Sequence, residues 1–318
     1  MIDYRLVPVL AFSMNPSVFW PYAAGAAVLV IGLPVVIMGA ARRARGFDKL
    51  VAFGPLLFAI PMAVFGADHF VAAGFVASIV PSWIPWHLFW AYFVGVALLA
   101  GALSLATTIQ WRLAAASFAM MFLIFELTMH IPNLIAVPQS KARLILMLRD
   151  MPLLSGCLAF AASQRREAGG RSARSGALFS PPALKRLVVV AGFLMAIPIG
   201  IFGIEHLLNP NFAPGIPQDS GAVRIPMPSW LPAHRLWIYL TGAIFVLSAI
   251  AIIARRYARP ASVLIGTTVL VMTALVYVPL TIARAADVNG GLNYLSIHFA
   301  LAGAALMLAS ALPVREAS

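Results

Sequence analysis

The sequence predicts an all-α, polytopic membrane protein with nine transmembrane helices, and three observations predict it. The 318-residue chain is 62% apolar and only 10% charged, where soluble domains run nearer half and a quarter. Apolar runs of about twenty residues recur from end to end, each long enough to cross a hydrocarbon layer of about 30 Å. The short alternating strands of a transmembrane barrel are not part of the pattern.

The first span is expected at 19–40. It lacks a basic leading region and is too long for the apolar core of a cleaved signal peptide, so it reads as a retained helix. ARRARGFDK (41–49) closes an N-terminal unit, 1–49. Four spans follow at 50–72, 86–109, 113–135 and 144–163, forming a unit over 50–163. A linker rich in Arg, Ser, Gly and Pro covers 164–185. The last unit, 186–318, holds spans at 186–208, 234–254, 261–283 and 293–312. Pro34, Pro61 and Pro198 sit inside spans, where neighbouring helices tolerate kinks.

Loop charge sets the expected orientation. Arg42, Arg43, Arg45, Lys49, the 164–186 segment and RRYARP (255–260) all fall on one side. The positive-inside rule makes that side cytoplasmic, with the N-terminus outside and the C-terminus inside. The formal net charge of +12 then sits on the inner side, so it gives no reason to invoke nucleic acid. The partner it does imply is the lipid bilayer, whose anionic headgroups attract basic loops. Cys157 is the single cysteine. A disulfide within the chain and a CxxC redox relay are therefore both excluded.

The chain also matches itself. PSWIPWHLFW (81–90) aligns with PSWLPAHRLW (228–237) at an offset of 147 residues. From Pro81 to Gly95, eight of fifteen positions are identical at that offset, and Pro132 pairs with Pro279 and Gly156 with Gly303. Upstream, AIPMAVFGADH (59–69) matches AIPIGIFGIEH (196–206), with an insertion in the second copy within 209–227. The expected architecture is one leading helix plus two parallel four-helix-bundle repeats.

A helix ending FG-x-[DE]-H, a loop ending PSW-x-P-x-H, and then W-x-Y-x-x-G resembles the DoxX-like four-helix membrane proteins, here in tandem. The resemblance covers both repeats but neither the first helix nor the linker. It implies a four-helix bundle per repeat and the bacterial plasma (inner) membrane. Some members are similar to the membrane subunit of thiosulfate:quinone oxidoreductase, others to a membrane protein needed for methylamine dehydrogenase maturation. The resemblance therefore implies redox partners, and it brings no catalytic residue set with it.

Two sets of polar residues are candidates for chemistry. The first is the repeated motif expected at the outer face: Asp68, His69, Trp83 and His87, with Glu205, His206, Trp230 and His234 in the second copy. Histidine binds metals and passes protons near neutral pH, but Trp and His at helix ends also make an ordinary interfacial belt. The second set breaks the repeat. Glu126 and His130 are i and i+4 on span four, and Arg149 and Asp150 lie in span five. The second copy has Thr273, Tyr277, Ser296 and Ile297 there. An intramembrane carboxylate is costly and faces a partner or a wet cavity, so Arg149–Glu126 or His130–Asp150 pairing is expected. A Glu and a His make only part of a metal site, and no metal site is assigned. His298 alone carries little weight.

Three functions fit these features. The leading one is an accessory or quinone-linked membrane subunit for a redox system at the outer face, docking a periplasmic or peripheral oxidoreductase. The others are a small-solute transporter or channel, and a non-catalytic membrane scaffold or assembly factor. Quinone is the cofactor this set would suit. Haem b is disfavoured, because no spacing demands two histidines facing across a bundle.

Overall fold

Nine helices are long and apolar enough to cross a membrane in the computed structural model, which describes residues 15–163, 180–211, 213, 215, 216, 225 and 227–313. They are α1 (Pro16–Arg43), α2 (Asp48–Val71), α3 (His87–Thr107), α4 (Trp111–Ala136), α5 (Lys141–Ala162), α6 (Pro181–Leu208), α7 (His234–Ile253), α8 (Ala258–Ala283) and α9 (Val288–Ala311). A short helix, Ala73–Ile79, follows α2. No strand occurs among the described residues. All nine expected spans are present, with ends shifted by a few residues. Residues 164–179 of the expected linker and the tail 314–318 lie outside the described residues.

Helix starts follow local chemistry. Asn15 caps α1 by accepting from the Ser17 amide at 3.0 Å, with Pro16 at the first helical position, where its missing N–H is of no consequence. Ser140 caps α5 by accepting from the Arg143 amide. α1 bends at Gly39 and α2 at Phe53, just before Gly54-Pro55.

Irregular backbone recurs at the sequence offset of 147 residues. Trp86, Thr108 and Gln110 have positive φ, and so do Ala233, Arg255 and Tyr257. None of these is glycine, and such residues are uncommon in the left-handed region. The Trp90 indole donates to the Pro85 carbonyl at 3.0 Å, and Trp237 to Pro232 at 3.2 Å. α4 widens into a π-helical turn over Glu126–His130 and α8 over Thr273–Tyr277. Pro132 and Pro279 explain both turns. Each proline removes an amide and crowds the carbonyl four residues back, and a wider i→i+5 turn relieves the clash.

The two sets of four helices interlock. α5 and α9 cross in the middle, α2 packs on α9, and α6 packs on α5. Small residues permit the close approach. A Cβ on Gly156 would lie 2.5 Å from the Ala304 Cα, and one on Gly303 would lie 2.5 Å from the Phe58 amide. One apolar core, from Leu56 and Phe58 through Cys157 and Ala304 to Phe245, runs through both sets. α1 leans on α2 and α3 with no counterpart in the second set. Its outward side chains, such as Val30 and Met38, are exposed, as a lipid-facing surface requires. Asp48 and Arg259 pair at 2.5 Å at the basic end of the bundle. All six histidines lie toward the opposite end, next to the loops before α3, α5, α7 and α9.

Candidate functional site

Three of the four residues that break the repeat form a linked group on α4 and α5. His130 Nε2 lies 3.0 Å from Asp150 Oδ2, and Arg149 Nε donates to Asp150 Oδ1 at 2.9 Å. Of the two expected pairings, His130–Asp150 forms. The Arg149 guanidinium turns to its own neighbour, so Asp150 carries both partners. Asp150 is buried, while the Arg149 side chain is about a third exposed (32%). A His130 that donates through Nε2 keeps a lone pair on Nδ1.

Glu126 differs from these three. It is only 5% exposed, and its Oε1 has no hydrogen-bond partner. A buried carboxylate oxygen without a donor is expensive. It is the kind of exception that demands a ligand, a water or a functional reason. It also opens the π-helical turn, a backbone feature frequent at functional sites. In the second set, Thr273 occupies this position and returns its hydroxyl to the Val269 carbonyl at 2.6 Å.

The repeated motif is built differently. His69 donates Nδ1–H to the Phe65 carbonyl at 2.7 Å, and His206 does the same to Phe202 at 2.6 Å. Gly95 and Gly242, the glycines of W-x-Y-x-x-G, let the histidine-bearing helices come close, against the Gly66 and Gly203 carbonyls. A Cβ on either glycine would lie about 3 Å from the histidine Cβ: 2.9 Å at His69 and 3.1 Å at His206. His234 reaches the Pro228 carbonyl at 2.9 Å, while His87 opens α3, half-buried. Trp83 and Trp230 are exposed. Asp68 lies beside Asn293 of α9, and Glu205 accepts from Asn209 at 2.7 Å. Much of the motif therefore shapes the helix–loop–helix corner, and its two acids turn away from the histidine rings.

Sequence reasoning gave His298 little weight and passed over Tyr277 and the Gly215–Ile216 turn. His298 is fully buried and stacks on Tyr277, with ring centroids 3.7 Å apart. Gly215 N–H donates to His206 Nε2 at 2.7 Å, and Ile216 N–H to His298 Nε2 at 3.2 Å. Tyr277 was visible in the sequence as the partner of His130 at the repeat offset. The turn lies inside the second-copy insertion, where no offset could point to it.

A cleft of about 560 Å³ opens at the start of α7, lined by Pro210, Asn211, Met227, His234, Arg235 and neighbours. It shares His234 with the repeated motif but includes none of Glu126, His130, Arg149 or Asp150. Among the described residues, no group of three or more His, Cys, Asp or Glu is placed to hold a metal ion. No protein-family model matches the chain, and neither a curated protein nor a solved structure matches it.

Proposed function

We propose that this protein is the quinone-linked membrane subunit of a redox system, built from two DoxX-like copies behind one extra helix. Its histidine end faces outward, toward a periplasmic or peripheral oxidoreductase that handles the electrons. The observation carrying this reading is Glu126, a buried carboxylate with an unpartnered oxygen, one turn from a His130–Asp150–Arg149 group. A quinone-type headgroup meets such a site with oxygen atoms that gain and lose protons. Glu126 and His130 would hold or pass the proton, Asp150 would orient the His130 ring, and Arg149 would hold the Asp150 carboxyl in place. The two-copy origin is supported by the matched left-handed residues, Trp–Pro bonds and π-helical turns at one offset.

Solvent extraction of the purified protein tests the reading. About one quinone per chain is expected from the native protein, and Glu126→Leu should abolish it while the protein stays folded. A quinone-free native protein would sink the proposal. Glu126-dependent solute flux into liposomes would favour the transporter instead.

A further inference from the structure

The cleft at the start of α7 has no part in that reading. Pro210, Asn211 and Met227 come to it from the two ends of the second-copy insertion, and Ala233, Arg235 and Ile238 from α7 and its cap. At the repeat offset Ala233 replaces Trp86, in the same left-handed backbone, and Arg235 replaces Leu88. The second corner thus exchanges an indole for a methyl and an apolar side chain for a cation. Its volume of about 560 Å³ lies in the range of small-ligand sites.

Arg235 is the only charged residue among the described ones that line the cleft. It is exposed, and its side chain makes no hydrogen bond or ion pair with another described residue. Two other arginines at the histidine end are tied down. Arg143 donates to the Asn133 carbonyl at 2.7 Å, and Arg149 to Asp150 at 2.9 Å. His234, also in the lining, spends its Nε2–H on the Pro228 carbonyl. Arg235 is therefore the cation left to meet an anion.

The surroundings say which kind of anion. Trp230 and Tyr239, on either side of Arg235 in sequence, are exposed, and such rings sit at headgroup level. Further along α7, Leu236, Leu240 and Leu247 are all exposed and share one helix face. They form an apolar stripe about 16 Å long that runs from the cleft toward the middle of the membrane. In the first set the same stripe begins with Phe89 and Phe93, whose rings stack 5.9 Å apart.

We propose that this cleft binds one anionic phospholipid from the leaflet at the histidine end. The phosphate accepts from the Arg235 guanidinium, whose fork of donors suits it, and an acyl chain follows Leu236, Leu240 and Leu247. No acid is among the described lining residues, so the ammonium of a zwitterionic headgroup finds no partner there. The basic loops at the opposite end attract anionic lipid by summed charge. This site instead depends on one arginine and one cleft.

Photo-crosslinking tests it. The full-length protein is placed in phosphatidylcholine vesicles holding a small fraction of phosphatidylglycerol with a diazirine in its acyl chain, and the labelled peptides are mapped. Label on 234–247 should exceed label on the matched segment 87–100 by about tenfold, and Arg235→Leu should remove that excess. Arg235 is exposed, and leucine is what the first copy carries there, so this variant keeps the fold. Leu88→Arg supplies the charge without the insertion and should leave 87–100 well below 234–247. A diazirine phosphatidylcholine should label the two segments equally, and excess inorganic phosphate should not displace the phosphatidylglycerol label. Equal labelling of the two segments by phosphatidylglycerol overturns the proposal, as does an excess that survives Arg235→Leu. So does the same excess from phosphatidylcholine, or a Leu88→Arg protein labelled alike on both segments. Displacement by inorganic phosphate makes the occupant a soluble anion and overturns the lipid assignment. Glu126 is untouched throughout, so neither result bears on the quinone reading.

Discussion

Glu126 and Asp150 are both buried carboxylates, and they should respond oppositely to removal. Asp150 has two partners, so Asp150→Ala strands the His130 and Arg149 side chains. The expected cost is about 3 kcal/mol, the scale for breaking a buried pair from one side, and most of it falls on the His130 side because Arg149 is partly open to its surroundings. Glu126 has an unpartnered oxygen, so Glu126→Leu removes a desolvation penalty and should stabilise the fold by about 1 kcal/mol. Chemical unfolding of the two variants in the same detergent checks both signs. A Glu126→Leu protein less stable than the native one would mean that Glu126 is a structural partner. The sequence marked these residues because they break the repeat. It could not tell paired from unpaired, since Arg149 adjoins Asp150 in sequence but also lies on the helix that follows Glu126 across one short loop, and only side-chain geometry chose between them.

At the scale of elements, the places where the helices stop and bend recur at an offset of 147 residues. The left-handed residues before α3 and α7 are not glycines, so both turns carry strain. Ala233→Gly should relieve it and stabilise the protein by about 0.5–1 kcal/mol, after the entropy that glycine adds to the unfolded chain is subtracted. A thermal shift measurement in detergent would show a higher midpoint. Gly156 lies where α5 meets α9, against the Ala304 backbone. Gly156→Leu should prevent the two sets from docking, seen as loss of the monodisperse peak in size-exclusion chromatography. Spans were legible because twenty apolar residues have few other uses. The π-helical turns were not legible: Pro132 and Pro279 signalled a disturbance, but a kink and a widened turn read alike in sequence.

For the whole molecule, the basic loops argue that the N-terminus is outside and the histidine end faces outward. Cys157 is buried, so it should stay silent toward an impermeant thiol reagent and leave a clean background. Asn209→Cys should label from outside intact cells, and Ser180→Cys only after the cells are opened. The reverse pattern would overturn the orientation and place the proposed partner on the other side.

Composition alone determined that this is a helical membrane protein, because a chain with so little charge has nowhere to bury its surface except lipid. Self-similarity by itself determined the correspondence of positions along the chain. Which helices touch was decided only in three dimensions. α5 meets α9 because Gly156 admits the Ala304 backbone, α9 meets α2 because Gly303 admits the Phe58 amide, and a glycine in an apolar run does not name its neighbour. The same holds for the candidate site. The sequence supplied Glu126, His130, Arg149 and Asp150, while tertiary packing left Glu126 unpaired and placed the Gly215–Ile216 turn between His206 and His298. Hydrogen bonds between helices depend on rotation and depth of a fraction of a turn, which no linear pattern records.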